Sequence, residues 1–207
     1  MAQFFQIHPD NPQLRLIRNA VDIIRQGGVI IYPTDSSYAL GCHIGDKTAM
    51  ERIRSIRRLD EKHDLTLVCR DLSEIAIYAK VENQHYRMLK TLTPGPYTFI
   101  HKATKQVPRR LQHPKKKTIG IRVPDNNIVR ELLAELDEPL MSTTLILPGE
   151  DLPLIDPYEM RDLLGHQVDL VIDGGFCGME DSTVVDMVSD PPLVLRAGKG
   201  DTSLFET

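Results

Sequence analysis

Four short segments of the sequence concentrate hydroxyl, glycine and arginine side chains, which bind anions and polar ligands well. They are residues 32–41 (YPTDSSYALG), 52–58, 142–144 (STT) and 181–186 (DSTVVD). Segment 52–58 carries four arginines, whose guanidinium groups fit phosphates, although a solvated helix face has the same composition. The three hydroxyls of 142–144 interrupt an apolar stretch and need partners if they are buried. Any site must therefore be assembled from separate loops.

The standard motifs of nucleotide-binding and hydrolytic enzymes are absent. The sequence contains no G-x-x-x-x-G-K-[ST], G-x-G-x-x-G, H-E-x-x-H or G-x-S-x-G pattern. The seven histidines lack metal-ligand spacing and the three cysteines form no C-x-x-C pair, so we expect no metal site and no disulfide framework. No apolar run approaches the roughly 20 residues of a membrane helix. We expect a cytoplasmic protein.

Helical and strand patterns interleave along the chain. Helices are predicted at 14–26, 47–57, 83–91, 127–136 and 157–164, and another begins at the capping-box pattern 71–74. Strands are predicted at 29–32, 65–69, 97–102, 119–123, 140–147, 168–172, 182–188 and 193–196. The order lacks strict βαβ regularity, so we expect an α/β fold with an open, twisted, mixed sheet. A length of 207 residues suits one domain, 1–207.

The formal net charge of −4 conceals a strong asymmetry. Residues 87–122 contain ten Lys or Arg and no Asp or Glu, whereas residues 123–207 contain four Lys or Arg and eighteen acids. Such a basic block favours polyanions. The alternative is that it pairs internally with the acidic third of the chain.

The four segments together resemble the YrdC/YciO family of L-threonylcarbamoyl-AMP synthases and their relatives. The resemblance covers nearly the whole chain, and its most specific parts occur in the family's order. They are the Tyr-Pro-Thr-Asp stretch at 32–35, Pro-Gly-Pro-Tyr-Thr-Phe at 94–99, Ile-Gly-Ile-Arg-Val-Pro at 119–124 and Ser-Thr-Val-Val-Asp at 182–186. The N-terminus and residues 47–69 are most similar to the YciO branch.

The resemblance implies a YrdC-like fold with a concave, positively charged surface. Synthases of the family combine ATP, L-threonine and bicarbonate into a carbamoyl adenylate that serves threonylcarbamoyladenosine formation in transfer RNA. The fold is also associated with binding nucleotides and double-stranded RNA. We therefore expect ATP with Mg²⁺ as a possible cofactor, RNA as a partner, and ATP and L-threonine as possible ligands.

Site residues follow from the resemblance position by position. It implies substrate binding by Thr34, His63, Arg122 and Ser182. It implies nucleotide binding by Arg57, Arg58, Ser142, Thr144 and Arg196, with Thr143 beside Ser142 in the family's serine stretch. The basic block adds RNA-binding candidates at Arg109, Arg110, Lys115, Lys116 and Lys117.

Two positions depart from the synthase pattern. Synthases carry Lys-x-Arg after the second helix, where this chain has Arg57-Arg58-Leu59. They also end the serine stretch in Ser-x-Asn, where this chain has Thr144-Leu145-Ile146. Because these groups hold nucleotide phosphates in the family, their loss would weaken ATP-dependent synthesis more than ligand binding.

Three functions stay open on the sequence. The first is a YciO-type protein that binds nucleotide and double-stranded RNA in RNA modification or metabolism, with altered synthase motifs. The second is an active L-threonylcarbamoyl-AMP synthase for transfer RNA modification. The third is a carbamoyl-handling or regulatory domain that binds a small carboxylated metabolite.

Overall fold

A computed structural model describes residues 1–60, 62, 63 and 65–206. Six α-helices lie within these residues: α1 (Leu14–Arg25), α2 (Lys47–Arg57), α3 (Leu72–Tyr78), α4 (Asn83–Leu92), α5 (Asn127–Leu136) and α6 (Pro157–Leu164). Ten strands accompany them: β1 (Gln3–Gln6), β2 (Ile30–Tyr32), β3 (Ala39–His43), β4 (Thr66–Val68), β5 (Tyr97–Lys102), β6 (Thr118–Arg122), β7 (Leu140–Thr144), β8 (Leu170–Asp173), β9 (Thr183–Asp186) and β10 (Leu193–Arg196). None of the described helices is long and apolar enough to cross a membrane.

All ten strands join one sheet in the order β1-β8-β2-β3-β7-β4-β6-β5-β9-β10. The pairs β1–β8, β2–β8, β4–β6 and β5–β9 are parallel. The remaining five neighbouring pairs are antiparallel. The expected open, mixed α/β sheet is confirmed.

Helices cover the two faces of the sheet unequally. On one face, α1 and α5 pack on Ile30, Tyr32 and Val68, toward the half of the sheet that contains β8, β2 and β3. On the other face, α2, α3 and α6 pack on alternate residues such as Ile31, Leu67 and Ile121. The two helices also contact each other, and polar residues such as Thr66 and Ser142 lie on the central strands of their face.

Helix ends follow their capping residues closely. Asp46 accepts a hydrogen bond from the Ala49 N–H at the start of α2, which begins at the predicted residue 47. Asp71 accepts from the Glu74 N–H at the start of α3, while the Glu74 carboxylate accepts from the Arg70 N–H rather than from Asp71. The capping box is therefore confirmed in its first half and shifted by one residue in its second.

Two strands were missed by the sequence analysis. Residues 32–41 were interpreted as one polar loop, but β3 begins within them, at Ala39. This strand reads Ala-Leu-Gly-Cys-His and lacks β-branched residues, so its composition gave no strand signal. The four residues of β1 form a short edge strand beside β8. The strand predicted at 140–147 ends earlier, at Thr144.

Candidate functional site: a polar cavity on the central strands

A cavity of about 380 Å³ lies on the face of the sheet that α1 and α5 leave partly uncovered. Its floor follows the pairing register from Ser142 of β7 to Thr66 of β4, Gly120 of β6 and Ile100 of β5. Because side chains alternate along a strand, Leu67 and Ile121 point to the opposite, apolar face. The volume falls within the range of about 300–1,000 Å³ that is usual for small-ligand sites.

Gly120 keeps the floor of the cavity low. A Cβ atom at this position would come within 3.0 Å of the Thr66 hydroxyl and 3.2 Å of the Thr98 methyl group. Contacts of this length are tighter than ordinary van der Waals packing. The glycine therefore leaves room beside both threonine side chains.

Arg122 is a buried arginine in the cavity lining, with 6% of its surface exposed. Its Nη2 donates to the Asp35 carboxylate, to the Ser36 hydroxyl at 2.8 Å and to the Thr34 hydroxyl at 3.3 Å. Its Nε is buried and has no hydrogen-bond partner within the described part of the chain. A buried guanidinium with an unused donor is suited to an anionic ligand.

Two pairs of hydroxyl groups lie at the cavity, and Ser142, Thr98 and Ser182 of these pairs line it while Tyr32 is buried behind Ser142. The Tyr32 hydroxyl lies 2.6 Å from the Ser142 hydroxyl, which donates to the Leu40 carbonyl at 3.0 Å. The Thr98 and Ser182 hydroxyls are 2.7 Å apart. Burial raises the pKa of Tyr32 to about 12, against the opposing effect of its hydrogen bond to Ser142, so this phenol stays neutral near pH 7. These pairs offer neutral donors and acceptors to a polar ligand.

Two further arginines and one carboxylate also line the cavity. The Arg196 Nη1 lies 3.1 Å from the Asp181 Oδ2, and its Nε and Nη2 donate to the Ser182 carbonyl. Arg57 donates through Nη1 to the Ile146 carbonyl. Burial lowers the pKa of Arg57, and the negative charge of Asp181 opposes that shift.

Most of the residues that the resemblance implied come together in this cavity. Its lining includes Arg57, His63, Arg122, Ser142, Thr143, Thr144, Ser182 and Arg196. Thr34 lies behind Arg122 and is 1% exposed, and its hydroxyl donates to the Ser37 carbonyl. Arg58 ends α2 in a left-handed conformation, is exposed, and does not line the cavity.

The two departures from the synthase pattern occupy different environments. The Ile146 side chain lines the cavity. Leu59 instead packs, partly buried, against the apolar core on the α2 face. An isoleucine therefore faces the ligand space where synthases have an asparagine, and Arg58 does not fill the place of the missing arginine.

The predicted RNA-binding residues lie outside the cavity, in the segment 103–117 between β5 and β6. Arg109, Lys115, Lys116 and Lys117 are exposed, and Arg110, also exposed, donates to the Gly45 carbonyl at 2.5 Å. Across the described residues, no Lys or Arg of 87–117 forms an ion pair with an acid of 123–206; Arg122 pairs with Asp35. Internal ion pairing with the acidic third of the chain is therefore not seen there.

Several polar residues in or beside the cavity were not among the predicted site residues. Lys62, Thr98 and Asp181 line the cavity, and Asp35 holds Arg122. Asp35 and Asp181 lie in two of the polar segments identified in the sequence, but nothing in those segments distinguishes their carboxylates from capping groups. Thr98 could have been found from the alternation of β5, in which Phe99 points to the apolar core.

Metal-binding groups are sparse in this region. Among the residues that the structure describes, no three His, Cys, Asp or Glu side chains cluster in a way that could hold a metal ion. The three cysteines are free thiols, and burial raises the pKa of Cys42 to about 12.

Comparison with known proteins agrees with this architecture. The chain is 57% identical to the protein YciO of Escherichia coli over 205 residues, which cover 99% of this chain and all of that protein. The crystal structure of E. coli YciO superposes with a TM-score of 0.97 over the full length of both chains.

More distant relatives include a threonylcarbamoyl-AMP synthase of Pyrococcus abyssi. It is 29% identical over 185 residues, which cover 88% of this chain and 54% of the synthase. The crystal structure of P. abyssi Sua5 complexed with L-threonine is similar, with a TM-score of 0.85, 25% identity, and coverage of 94% of this chain and 57% of that chain. The family model described as Telomere recombination, for Sua5, YciO and YrdC proteins, matches residues 22–198. This chain therefore belongs to the Sua5/YciO/YrdC family, which includes threonylcarbamoyl-AMP synthases.

Proposed function

We propose that this protein binds an adenine nucleotide and a small carboxylated ligand in the central cavity, with synthase chemistry weakened relative to its relatives. The observation that carries the proposal is the buried Arg122, fixed by Asp35 with its Nε unpartnered among the described residues, in the lining of the same cavity as Arg57 and Arg196. Three arginines and several neutral hydroxyls in one cavity lining suit a polar ligand that carries more than one anionic group.

Arg122 is assigned to the carboxylate of an amino acid such as L-threonine. Asp35 and Ser36 hold the guanidinium before any ligand arrives, so little side-chain freedom is lost on binding. The paired Thr98 and Ser182 hydroxyls are suited to a hydroxylated side chain. The P. abyssi Sua5 complex with L-threonine supports this assignment by similarity. Thr34 would help to position Arg122, to which it is hydrogen-bonded. His63 would contact the ligand from the cavity lining.

Arg57 and Arg196 are assigned to the nucleotide. Arg57 would contact the phosphate directly and Arg196 would lie beside it, paired with Asp181, while the Ser142 and Thr144 side chains would contact the rest of the nucleotide. Arg58 has no part in this assignment because it lies outside the cavity. If ATP enters as its Mg²⁺ complex, Asp181 is the carboxylate that lines the cavity among the described residues, and the metal would need its other ligands from phosphates and water.

Synthase chemistry is expected to be weak because Leu59 and Ile146 replace the arginine and asparagine that hold phosphates in the synthase pattern. Ile146 presents an aliphatic side chain to the cavity, and Leu59 faces the core. In enzymes, losing one preorganised hydrogen-bond donor typically costs about 10²–10³ in rate. Binding of a nucleotide depends on these groups less, since Arg57 and Arg196 remain.

The exposed cations of 103–117 are proposed as the RNA contact. Exposed cations with no ion-pair partner among the described residues are free to neutralise phosphates, and Arg109, Lys115 and Lys116 belong to this set. Contacts of this kind recognise the shape of a duplex rather than its sequence. A concave, positive surface on a single cytoplasmic domain, 1–207, is part of the same proposal.

An active L-threonylcarbamoyl-AMP synthase is the second candidate function. Retention of Arg122, Ser182 and Arg196 in one cavity favours it, as does the similarity to a threonylcarbamoyl-AMP synthase. In that case proximity of ATP to the carbamate of threonine would supply much of the rate.

Pyrophosphate release distinguishes the two functions. Purified protein is supplied with ATP, L-threonine, bicarbonate and Mg²⁺, and the rate is compared with a reaction that lacks threonine. Threonine-dependent release at the rate of a synthase assayed in parallel would establish the second function. Binding of AMP or ATP by calorimetry without such release is the result expected for the first, and absence of both would contradict it.

A further inference from the structure

The carboxylate of Asp181 forms an ion pair with Arg196, one of the two arginines assigned to the nucleotide. Its Oδ2 lies 3.1 Å from the Arg196 Nη1, and the other two nitrogens of that guanidinium donate to the Ser182 carbonyl. The Asp181 backbone is held by the Lys199 N–H, which donates to its carbonyl at 2.9 Å. Every nitrogen of Arg196 therefore already has a partner within the protein.

The second oxygen of Asp181 is an unused acceptor. Asp181 Oδ1 is buried and has no hydrogen-bond partner within the part of the chain that the structure describes. An ionised carboxylate oxygen can only accept, so a ligand group beside it must donate. Ribose hydroxyls and amide N–H groups donate, whereas phosphate oxygens near pH 7 bring mainly further acceptors and negative charge.

Arg57 has fewer partners within the protein than Arg196. Its Nη1 donates to the Ile146 carbonyl, but its Nε is buried and has no partner among the described residues. Lys62 also lines the cavity and is exposed. One half-buried guanidinium beside one carboxylate matches a single phosphate group better than a chain of three, because each added phosphate adds repulsion from Asp181.

From these contacts we infer that Asp181 is a specificity-determining residue that selects nucleoside monophosphates and their acyl esters over nucleoside triphosphates. The inference rests on the proposed nucleotide site and names its ligand class. The ligand's phosphate lies at Arg57, and a hydroxyl or amide N–H of the ligand donates to the Asp181 Oδ1. A triphosphate binds weakly, because it must displace the carboxylate from Arg196 or lie against it.

Calorimetry with AMP, ADP and ATP on the whole protein, in Mg²⁺-free buffer, tests this inference. Affinity of the natural protein is expected to fall with each added phosphate, with AMP at least about tenfold tighter than ATP. The variant Asp181→Asn keeps the shape of the side chain and removes its charge, so ATP affinity is expected to rise about tenfold and AMP affinity much less. Glu180→Gln makes the same change in net charge at the adjacent, exposed position and is expected to leave the AMP-to-ATP ratio unchanged.

The opposing results are distinct. ATP binding to the natural protein as tightly as AMP would overturn the inference, whether or not Asp181→Asn folds. Equal effects of Asp181→Asn and Glu180→Gln would also overturn it, since Asp181 would then act only through net charge. A gain in ATP affinity on adding Mg²⁺ that Asp181→Asn abolishes would show a metal ligand instead. If neither AMP nor ATP bound the natural protein, the proposed function itself would fail.

Discussion

The guanidinium of Arg122 and the carboxylate of Asp35 form an ion pair whose side chains are 8% and 9% exposed, at the edge of the central cavity. The other Asp35 oxygen accepts from the Asp125 N–H at 2.8 Å, so the loop after β2 and the end of β6 are joined through one carboxylate. A cation that would bind ligand is thereby held in place before the ligand arrives.

Removing the Asp35 carboxylate is expected to destabilise the fold severely. Asp35→Ala would leave a buried arginine without its counter-charge, which typically costs about 3–5 kcal/mol. Urea denaturation measures the free energy of unfolding. Asp125→Ala serves as the control, because that carboxylate pairs with Arg130 at the surface and its loss should cost about 1 kcal/mol or less. Equal losses for the two variants would contradict the role given to Asp35.

Ile146→Asn is expected to raise threonine-dependent pyrophosphate release by at least about tenfold, since an amide would again face the cavity. Leu195→Asn, which changes another aliphatic residue of the cavity lining, should give no gain. Leu59→Arg is left out of this experiment because Leu59 packs against the core, where a charge would lower stability. No gain for Ile146→Asn would show that Ile146 is not what limits the chemistry.

RNA binding is expected to depend strongly on salt. Replacing Arg109, Lys115 and Lys116 by alanine should reduce the slope of log K against log salt concentration by about 2 to 3 if each side chain neutralises one phosphate of a duplex. Fluorescence anisotropy with double-stranded RNA measures the slope. The control makes the same charge change at Arg15, Arg18 and Lys47, exposed cations outside 103–117, of which Arg18 pairs with Glu135 and Lys47 with Glu51, and should leave the slope nearly unchanged. Identical slopes for both triple variants would place the RNA elsewhere or exclude it.

Acid is expected to destabilise the protein through His101, which lies on β5 beneath α4. Burial, reinforced by the nearby His85, lowers the pKa of His101 to about 4 from an ordinary value of 6.5. Between those pH values, His101 therefore binds a proton in the unfolded chain but stays neutral in the folded protein. Stability is fully present above about pH 6.5 and falls as pH drops toward 4, by up to about 3 kcal/mol.

His101→Gln should flatten this fall in stability between pH 7 and pH 5, as measured by urea denaturation. His166→Gln, which removes an exposed histidine, is the control and should leave the pH dependence unchanged. A pH dependence of the natural protein that persists in His101→Gln would assign the loss to other groups.

The sequence predicted the regular elements better than the site's electrostatics. The bounds of α2, α5, α6, β5 and β10 agree with prediction because each has clear periodicity or a capping residue. The strand β3 was not predicted because its sequence, Ala-Leu-Gly-Cys-His, contains no β-branched residue, although both of its faces are buried. The pairing of β7 with β4, which brings Ser142 beside Thr66, depends on contacts between distant parts of the chain.

The charged partners within the site illustrate the same limit. The resemblance supplied Arg122 and Arg196, but it could not say that Asp35 and Asp181 lie against them. Position along the chain does not distinguish a capping aspartate from one that neutralises an arginine across the fold. Arg58 shows the converse, because the left-handed end of α2 turns it away from the cavity that the sequence assigned to it.

Nuclear magnetic resonance mapping of the bound state tests the central claim most directly. Backbone amide shifts of labelled protein are followed while AMP and L-threonine are added, separately and together. The account predicts saturable changes centred on the cavity, at residues such as Thr98, Gly120, Ser142 and Ser182. Changes centred elsewhere, such as the depression lined by Tyr86, Lys90 and Val123, or no changes at millimolar ligand, would contradict it.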